Sequence, residues 1–472
     1  MTGFFGKKTT EIRDIKINEP QKDGFYSSID PVIIVDSADV RDEAFWNDAR
    51  RDTLSTEQQN LLKMIDRMNQ DPKWKALVGG LKLLADGWFP FRQIDIGNVF
   101  SFYSYNIYEG SRVKFGFRTN DKFSDQVKLS GYLAYGIGDN RFKGGGEAAF
   151  IFPGKLRKRW VVGTSYRNDL FQQGRSQNML PLDHVLTSFV RISGAEKRTM
   201  LESFNGYIER QWFTGLSTRT SVFRDKYSPL NQNFRMRSAS DTIRLEGFNT
   251  AGFKFNLRFA WGENELPATF DQVDGPFFFR KYPMVSFEVA VGIKDFLNSE
   301  FNYQHYKLKL EYQLRANKAG YLNILAEGGL INGYLPYQLL HVPDGNPLVF
   351  NDDHGFNLMN YMEFVSDKYV SLQLEHHFNG LLFNLIPGVR KLKLRSLLIG
   401  KLYYGTLTSD NSTGKYILAN DMAQTRYPYA EVGLGIENIL KISRIDFTWR
   451  ITQLGNSNTL GFIVKPSFYF RF

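Results

Sequence analysis

From about residue 92 to the C-terminus, apolar and polar residues alternate with a period of two. Residues 253–261 read F-K-F-N-L-R-F-A-W, residues 306–314 read Y-K-L-K-L-E-Y-Q-L, and residues 445–451 read I-D-F-T-W-R-I. A strand with this pattern presents one face to an apolar environment and the other to a polar one. Such segments, about ten residues long and separated by turn residues, are typical of transmembrane β-strands.

The pattern predicts an all-β fold, a transmembrane antiparallel β-barrel of 16–18 strands that occupies residues 92–472. A transmembrane helix is excluded, because the chain has no run of about 18 apolar residues. The mean hydropathy of −0.34 is compatible with a barrel, whose strands are only half apolar. The 41 Phe, 24 Tyr and 7 Trp suit the aromatic girdles of such proteins.

The first part of the chain has a different pattern. Residues 1–38 predict an extended periplasmic lead-in, and residues 39–91 predict short amphipathic helices, because apolar residues recur there at helical spacing. The first helix should end at Asp71-Pro72, and the second should run from Lys73 to Ala85. We expect both to cap the periplasmic mouth of the barrel, with an interfacial membrane helix as the alternative. The apolar stretch at the start of the sequence is too short for a secretory signal, so we expect that the chain derives from a longer precursor.

The last strand has an unusual apolar face, made of Phe462, Val464, Pro466, Phe468, Phe470 and Phe472. This face predicts contact with lipid, and it resembles the C-terminal strand signal that the assembly machinery reads in gram-negative outer-membrane barrels. Pro466 lacks an N–H, so one ladder hydrogen bond must be missing. We expect the gap on the side of the first strand.

Loop lengths suggest an orientation. With both termini in the periplasm, the long connections 169–183, 263–282 and 408–426 are expected outside, as in other barrels. The same strand count places two further long connections, 228–240 and 331–353, on the periplasmic side.

The polar faces of the strands should line the lumen with a charge network of Lys254, Arg258, Lys307, Lys309, Glu311, Glu431, Glu437, Arg444, Asp446 and Arg450. Glu431 and Glu437 lie on the strand next to the one that carries Arg444 and Arg450, so cross-strand ion pairs are expected. Two interpretations remain open. The network either satisfies itself and rigidifies the lumen, or it forms a basic path for an anionic solute.

Catalytic and metal-binding patterns are missing from the sequence. There is no cysteine, no H-E-x-x-H, no G-x-S-x-G and no phosphate-binding loop. His376 and His377 are neighbours on a strand, so they point to opposite faces and cannot hold a metal together. We therefore predict that the protein is not an enzyme and needs no cofactor. The net charge of +10 indicates an anionic neighbour, for which lipopolysaccharide fits better than nucleic acid.

Several stretches resemble one family of gram-negative outer-membrane barrels of uncharacterised function, whose barrel usually follows a carboxypeptidase-regulatory-like domain. The matching stretches are 106–110 (N-I-Y-E-G), 115–120 (F-G-F-R-T-N), 335–340 (L-P-Y-Q-L-L), 345–346 (G-N), 356–360 (F-N-L-M-N), 363–367 (E-F-V-S-D), 377–380 (H-F-N-G), 386–387 (I-P), 391–394 (K-L-K-L) and 428–438 (P-Y-A-E-V-G-L-G-I-E-N). The barrel is distantly similar to the surface-antigen superfamily, which includes outer-membrane assembly and secretion pores. That superfamily carries a V-R-G-F/Y motif in an inward-folded loop, and this sequence lacks it.

The resemblance implies an outer-membrane barrel that acts in envelope biogenesis or transport as a component of a larger complex. The alternative is a passive or gated pore for anionic solutes. The expected partners are outer-membrane lipid and lipopolysaccharide, the barrel assembly machinery through the terminal strand, and other envelope proteins.

Overall fold

The computed structural model describes residues 17, 19–20, 45, 56–152, 159–176, 181–189, 197–213, 215–230, 235–237, 242–244, 246–261, 283–413, 416–419, 422–456 and 459–468. The chain divides into a unit of residues 1–53 and a unit of residues 54–472, and every element described below belongs to the second. The predicted lead-in, residues 1–38, lies outside the described residues except for residues 17, 19 and 20.

The second unit is built mainly of strands. They are β1 (Trp88–Phe91), β2 (Ile94–Gly97), β3 (Tyr103–Asn106), β4 (Gly110–Thr119), β5 (Val127–Gly136), β6 (Arg141–Phe152), β7 (Arg159–Gln172), β8 (Arg198–Phe213), β9 (Leu216–Pro229), β10 (Arg235–Arg237), β11 (Thr242–Arg244), β12 (Phe248–Ala260), β13 (Met284–Gly292), β14 (Tyr303–Arg315), β15 (Tyr321–Asn332), β16 (Lys368–Asn379), β17 (Arg395–Thr406), β18 (Tyr416–Ile417), β19 (Tyr429–Ile439), β20 (Ser443–Arg450) and β21 (Phe462–Phe468). The α-helices are α1 (Thr56–Gln70), α2 (Pro72–Asp86), α3 (Val185–Phe189) and α4 (Ser409–Thr413).

One antiparallel sheet of 18 strands forms the wall, and β10, β11 and β18 form a separate sheet of three. In the wall β2 and β3 pair with successive halves of β4, so they are two parts of one interrupted strand. With β2 and β3 counted as one and the four-residue β1 set aside, the 18 strands give a wall of 16 positions. Neighbours in the wall are neighbours in the chain. The predicted fold, a transmembrane antiparallel β-barrel, is confirmed.

The period-two pattern determines which face of each strand is polar. On β12 the side chains of Phe253 and Phe255 are exposed on the outer face of the wall, and the side chain of Arg258 is buried on the inner face. On β20 the buried residues are the polar ones, Arg444, Asp446, Thr448 and Arg450. The outside of the wall is therefore apolar and the inside polar, which is the arrangement that a membrane requires.

The ends of the barrel differ in the length of their connections. Because each strand reverses direction, the connections 173–197, 230–247, 333–367 and 407–428 lie at one end, called here the loop end. Trp261 and Pro283, which follow β12 and precede β13, lie at the opposite end, called here the turn end. The prediction that 228–240 and 331–353 lie on the other side from 408–426 was therefore wrong. The predicted connection 263–282 lies outside the described residues. The strand count had slipped by one in the middle, because alternation alone does not separate a short wall strand from a short strand in a loop.

Helices α1 and α2 form where the spacing predicts them. Asp71 ends α1 and caps α2, its side chain accepting the Lys73 N–H at 2.8 Å, and Pro72 opens α2. Gly87 ends α2 at φ +73°, a conformation that favours glycine. Apolar residues of both helices, including Leu77, are exposed. Their docking on the barrel mouth stays a prediction. Among the described helices, none has the length and apolar character needed to cross a membrane.

The alternation on β12 supports a matched pair of substitutions. Phe255 points to lipid near the middle of the strand, so Phe255→Arg should lower the free energy of unfolding by about 2–4 kcal/mol. Asn256 lines a cavity inside the barrel, so Asn256→Arg should have a much smaller effect. Urea unfolding of both variants in lipid vesicles measures the difference. Equal losses would contradict the assigned faces.

Candidate functional site: a filled lumen and a seam

The connection between β15 and β16 folds into the lumen. This inward segment, Gly333–Asp367, is held at its base by paired backbone hydrogen bonds between His341 and Ser366, at 3.0 and 2.9 Å. Most of its side chains are buried. The lumen is therefore largely filled on this side by the protein itself.

Apolar packing holds both halves of the inward segment. One cluster joins its first and last residues to the loop end of the wall, and consists of Leu335, Tyr337, Leu340, Val342, Met362 and Val365 with Leu201, Tyr227, Phe248, Phe301, Ile331, Ala419 and Met422. A second cluster joins its middle to β16, β17 and β19, and consists of Phe356, Met359, Phe364, Tyr369, Tyr403 and Tyr429. Burial of this apolar surface stabilises the segment inside the barrel.

Glu431 is the main polar anchor of the segment. Its carboxylate accepts the backbone N–H groups of Asn357 at 2.9 Å and Leu358 at 2.7 Å. On the neighbouring strand Arg450 forms a salt bridge with Glu363 of the segment at 2.6 Å. Hydrogen bonds that involve a charged group are stronger than those between neutral groups, so these contacts bind the segment tightly to β19 and β20.

Two lysines act in the same way from β17 and β21. The Lys401 ammonium donates to the carbonyl oxygen of Asp352 at 2.9 Å, and Lys465 donates to that of Asn346 at 2.6 Å. Lys465 is fully buried. The polar face of the terminal strand thus binds the inward segment, while Phe462 and Val464 on its other face are exposed.

Arg444 forms the centre of a buried charge cluster beneath the segment. It donates to both oxygens of Glu375 at 2.9 and 2.8 Å, and to Asp446 at 2.6 Å. His377 joins Glu375 to Glu437, at 2.6 and 3.0 Å. The cluster therefore joins three of the sequence-predicted residues, Glu437, Arg444 and Asp446, to Glu375 and His377.

The partners of these arginines differ from the expected ones. The register does place Glu431 opposite Arg450 and Glu437 opposite Arg444. Their salt bridges, however, run to carboxylates of the inward segment and of β16 and β20. The long arginine side chains extend past the adjacent strand into the lumen. There they meet carboxylates of the inward segment, Asp353 and Glu363, whose position cannot be inferred from the local sequence pattern.

The remaining predicted residues lie along the opposite wall. Arg258 is buried there. The pairs are Lys254 with Glu288 at 3.7 Å, Lys307 with Glu327 at 2.9 Å, and Lys309 with Glu311 at 2.6 Å. The structure thus divides the predicted network into two groups, one that holds the inward segment and one that faces it.

A chamber of about 780 Å³ separates the inward segment from this wall. Its basic residues are Arg175, Arg219, Lys254, Lys307 and Lys309, and its acidic ones are Asp225, Glu288, Glu327 and Asp344. Asp344 belongs to the inward segment, which does not span the membrane, and burial raises the pKa of its carboxyl to about 7. The five basic residues outnumber the four acidic ones, so the chamber is positively charged on balance.

A further cluster, which the sequence analysis missed, lies on the inner face near the first wall strands. Arg112 donates to both oxygens of Asp169 at 2.7 and 2.8 Å and binds Glu109 at 2.9 Å. Lys143 also binds Glu109, at 2.7 Å. The alternation of R-V-K-F-G-F from Arg112 to Phe117 could have indicated that Arg112 faces inward, but its partner Asp169 is 57 positions away in the chain.

The terminal strand presents one backbone edge away from β20. Arg450 donates to the Gly461 carbonyl at 2.9 Å, so these two form a hydrogen-bonded pair. Hydrogen-bonded and non-hydrogen-bonded pairs alternate along an antiparallel ladder. Pro466, opposite Ile445, is five residues after Gly461 and so belongs to a non-hydrogen-bonded pair, whose backbone N and C=O groups point away from β20. The proline therefore lacks its N–H on the outer edge, as predicted, and its carbonyl accepts the Asn351 N–H of the inward segment at 3.1 Å.

The first strand shows the same arrangement. Lys114 donates to the Phe102 carbonyl at 2.9 Å, so Tyr105, opposite Ser111, has its N–H directed away from β4. That N–H donates to the Ser188 hydroxyl of α3 at 2.9 Å. Among the described residues β21 pairs with β20, and β2 and β3 pair with β4; no ladder joins Phe462–Phe468 to β1, β2 or β3. We call this boundary the seam. Phe470 and Phe472 lie outside the described residues.

His376 and His377 lie on opposite faces, as expected: His377 is buried in the lumen, and the His376 ring contacts the Ala319 carbonyl at 3.0 Å. No group of three or more His, Asp or Glu residues arranged to hold a metal ion occurs in the described part of the chain.

Solved structures with a related shape include BamA from Haemophilus ducreyi lacking POTRA domains 1–3, with 10% identity, a TM-score of 0.42, and 79% of this chain and 70% of that chain covered. CdiB from Acinetobacter baumannii has 11% identity and a TM-score of 0.37, over 77% of this chain and 58% of that one. The outer membrane protein opdK from Pseudomonas aeruginosa has 10% identity and a TM-score of 0.31, over 78% and 96%. No curated protein matches the chain.

The strand pairing and the polar lumen define the class of protein, a transmembrane antiparallel β-barrel whose lumen is partly filled by its own chain. Residues 90–416 match the C-terminal domain of a family of unknown function (DUF5686). The chain belongs to this family, and the identification made from its motifs is confirmed.

Replacing Arg444 should lower the free energy of unfolding much more than replacing Lys254, because only Arg444 is the centre of a buried charge cluster. Arg444→Met leaves buried carboxylates without their cation, which should cost about 3–5 kcal/mol of unfolding free energy. Lys254→Met, at a partly exposed pair 3.7 Å apart, should cost at most about 1 kcal/mol. Equilibrium unfolding in detergent measures both. Similar losses for the two variants would show that the cluster is not a structural centre.

Proposed function

We propose that this barrel resides in the outer membrane and acts in envelope biogenesis or transport as a component of a larger assembly, with the seam as its working surface. The observation that carries the proposal is the state of the two seam edges. Each edge has a backbone group held by an interior segment, through Asn351 on one side and Ser188 on the other. An unpaired strand edge is a site where another chain can add a strand.

The orientation belongs to the same proposal. The beginning of β2 and the end of β21 both lie at the turn end, and four long connections lie at the other. Outer-membrane barrels have short periplasmic turns and long external loops. We therefore assign the turn end and both chain termini to the periplasm.

We assign no catalytic role. Most of the charged lumen residues that the sequence singled out hold the inward segment or form ion pairs with other residues of the wall. Expected partners are membrane lipid and lipopolysaccharide, the assembly machinery through the terminal strand, and other envelope proteins.

Photo-crosslinking in living cells tests the seam. Benzoylphenylalanine is placed at Phe462 or Val464, on the exposed face of β21, and as a matched control at Phe255 or Leu308, on the exposed face of β12 and β14. Adducts with envelope proteins should form at the β21 positions and be absent or several-fold weaker at the controls, because β12 and β14 are paired on both sides and β21 is paired only with β20 among the described residues of the wall.

A second version of the experiment carries Asn351→Cys and Ser467→Cys, which oxidation joins between the inward segment and β21. The chain has no native cysteine, so the bridge is the only one possible. Joining Gln313→Cys to Asn323→Cys, opposite each other on β14 and β15, is the control. Adducts that are uniform around the wall, or that no bridge alters, would overturn the seam as the working surface.

A gated pore for anionic solutes is the second candidate, and the basic chamber is the observation that favours it. In planar bilayers the protein should then show small, anion-selective conductance. Glu431→Gln with Lys465→Met loosens the inward segment and should raise the conductance. Lys307→Gln with Lys309→Gln should shift the reversal potential toward cations, and Lys318→Gln, on an exposed turn, should not. Absence of conductance in every variant would exclude the pore.

A further inference from the structure

Two neighbouring connections at the turn end expose an unusual amount of apolar surface. In residues 380–394, between β16 and β17, Leu385 is 76% and Leu392 63% exposed. In the turn between β19 and β20, Leu440 is 86% exposed. The other exposed apolar residues are Leu381, Leu382, Ile386 and Ile442. We call residues 380–394 and 438–442 the collar.

The collar is an ordered surface. The Asn384 N–H donates to the Gly380 carbonyl at 2.8 Å, and short helical turns run over Phe383–Leu385 and Val389–Leu392. The Asn438 side chain donates to the Lys393 carbonyl at 2.7 Å, which ties the two connections together. Their apolar side chains therefore form one surface.

Leu440, in the β19–β20 turn, has a backbone conformation that is unfavourable for leucine. Leu440 and Lys441 have φ values of +53° and +71°. Turns of this kind favour Asn and Gly, because a branched side chain is strained there. A leucine at this position is unfavourable both for its backbone conformation and for its exposure to water. An apolar environment around its side chain would offset these costs.

Charge distinguishes the collar from an ordinary apolar patch. It carries Arg390, Lys391, Lys393 and Lys441, and residues 376–409 contain no Asp or Glu. None of these four cations forms a salt bridge with a carboxylate of the described residues. Apolar side chains combined with unpaired lysine and arginine are typical of segments that lie in the interface of an anionic membrane.

The collar also continues the surface that faces lipid. Leu398 on β17 lies opposite Leu434 on β19, and both are exposed on the outer face of the wall. The two connections of the collar begin a few residues beyond this pair, at the turn end of the same strands. The lipid-facing surface and the collar thus adjoin.

We propose that the collar binds anionic phospholipid in the leaflet at the turn end. Its leucines and isoleucines insert at the boundary between headgroups and acyl chains, and its four cations contact lipid phosphates. This inference rests on the membrane-spanning wall and not on the seam, so the failure of one leaves the other standing.

Fluorescence quenching in vesicles tests the collar. The full chain carries Leu385→Cys as its single cysteine, labelled with an environment-sensitive fluorophore, in vesicles of phosphatidylcholine with or without phosphatidylglycerol. The emission should shift to the blue, and a nitroxide near the headgroup should quench it several-fold more when attached to phosphatidylglycerol than to phosphatidylcholine. A label at Leu308→Cys, on the wall, should show no such preference.

Charge variants complete the test. Arg390→Gln, Lys391→Gln and Lys393→Gln together should abolish the preference for phosphatidylglycerol at Leu385→Cys. The matched control removes three exposed cations from other connections at the same end, with Arg92→Gln, Lys122→Gln and Lys318→Gln, and should retain it. A label at Leu385→Cys that emits as in water and escapes both quenchers would overturn the proposal. Equal quenching by both lipids would overturn its anionic selectivity.

Discussion

The structure depends on one constraint: a backbone polar group within a membrane has no water to bind and must find its partner inside the protein. Around most of the wall, antiparallel ladders meet this requirement from β4 to β20. At the seam they do not, within the described residues. There Asn351 and Ser188, which belong to connections at the loop end, each bind one backbone group of a seam edge.

The same inward folding gives the barrel an interior that resembles the core of a soluble protein. Apolar clusters around Val365 and Phe364 are buried in the lumen, and buried charges are paired, as in the Arg444 cluster. Buried ion pairs cost desolvation and are strongly destabilising when one partner is lost. The loss of Arg444 would therefore destabilise the barrel strongly, even if the intact cluster adds little net stability.

Lumen and seam are mechanically connected through this segment. Lys465 and Pro466 are neighbours on β21: the side chain of the first and the carbonyl of the second both bind the inward segment, at Asn346 and Asn351. A movement of the segment would change the hydrogen bonds of the seam edge. This coupling is consistent with the proposed role of the seam.

The sequence by itself determined the class of fold, the faces that the apolar and charged side chains of β12, β14 and β20 occupy, and the side of β21 on which Pro466 leaves a gap. These follow from period-two alternation and from the missing proline N–H, which are local properties. Only the tertiary structure decided that Gly333–Asp367 enters the lumen, that Arg450 binds Glu363 and not Glu431, and that Asn351 reaches Pro466. Those contacts join residues about 90 to 120 positions apart. The entropy cost of closing such long loops depends only weakly on their length, so neither loop length nor local pattern indicates which distant residues will meet.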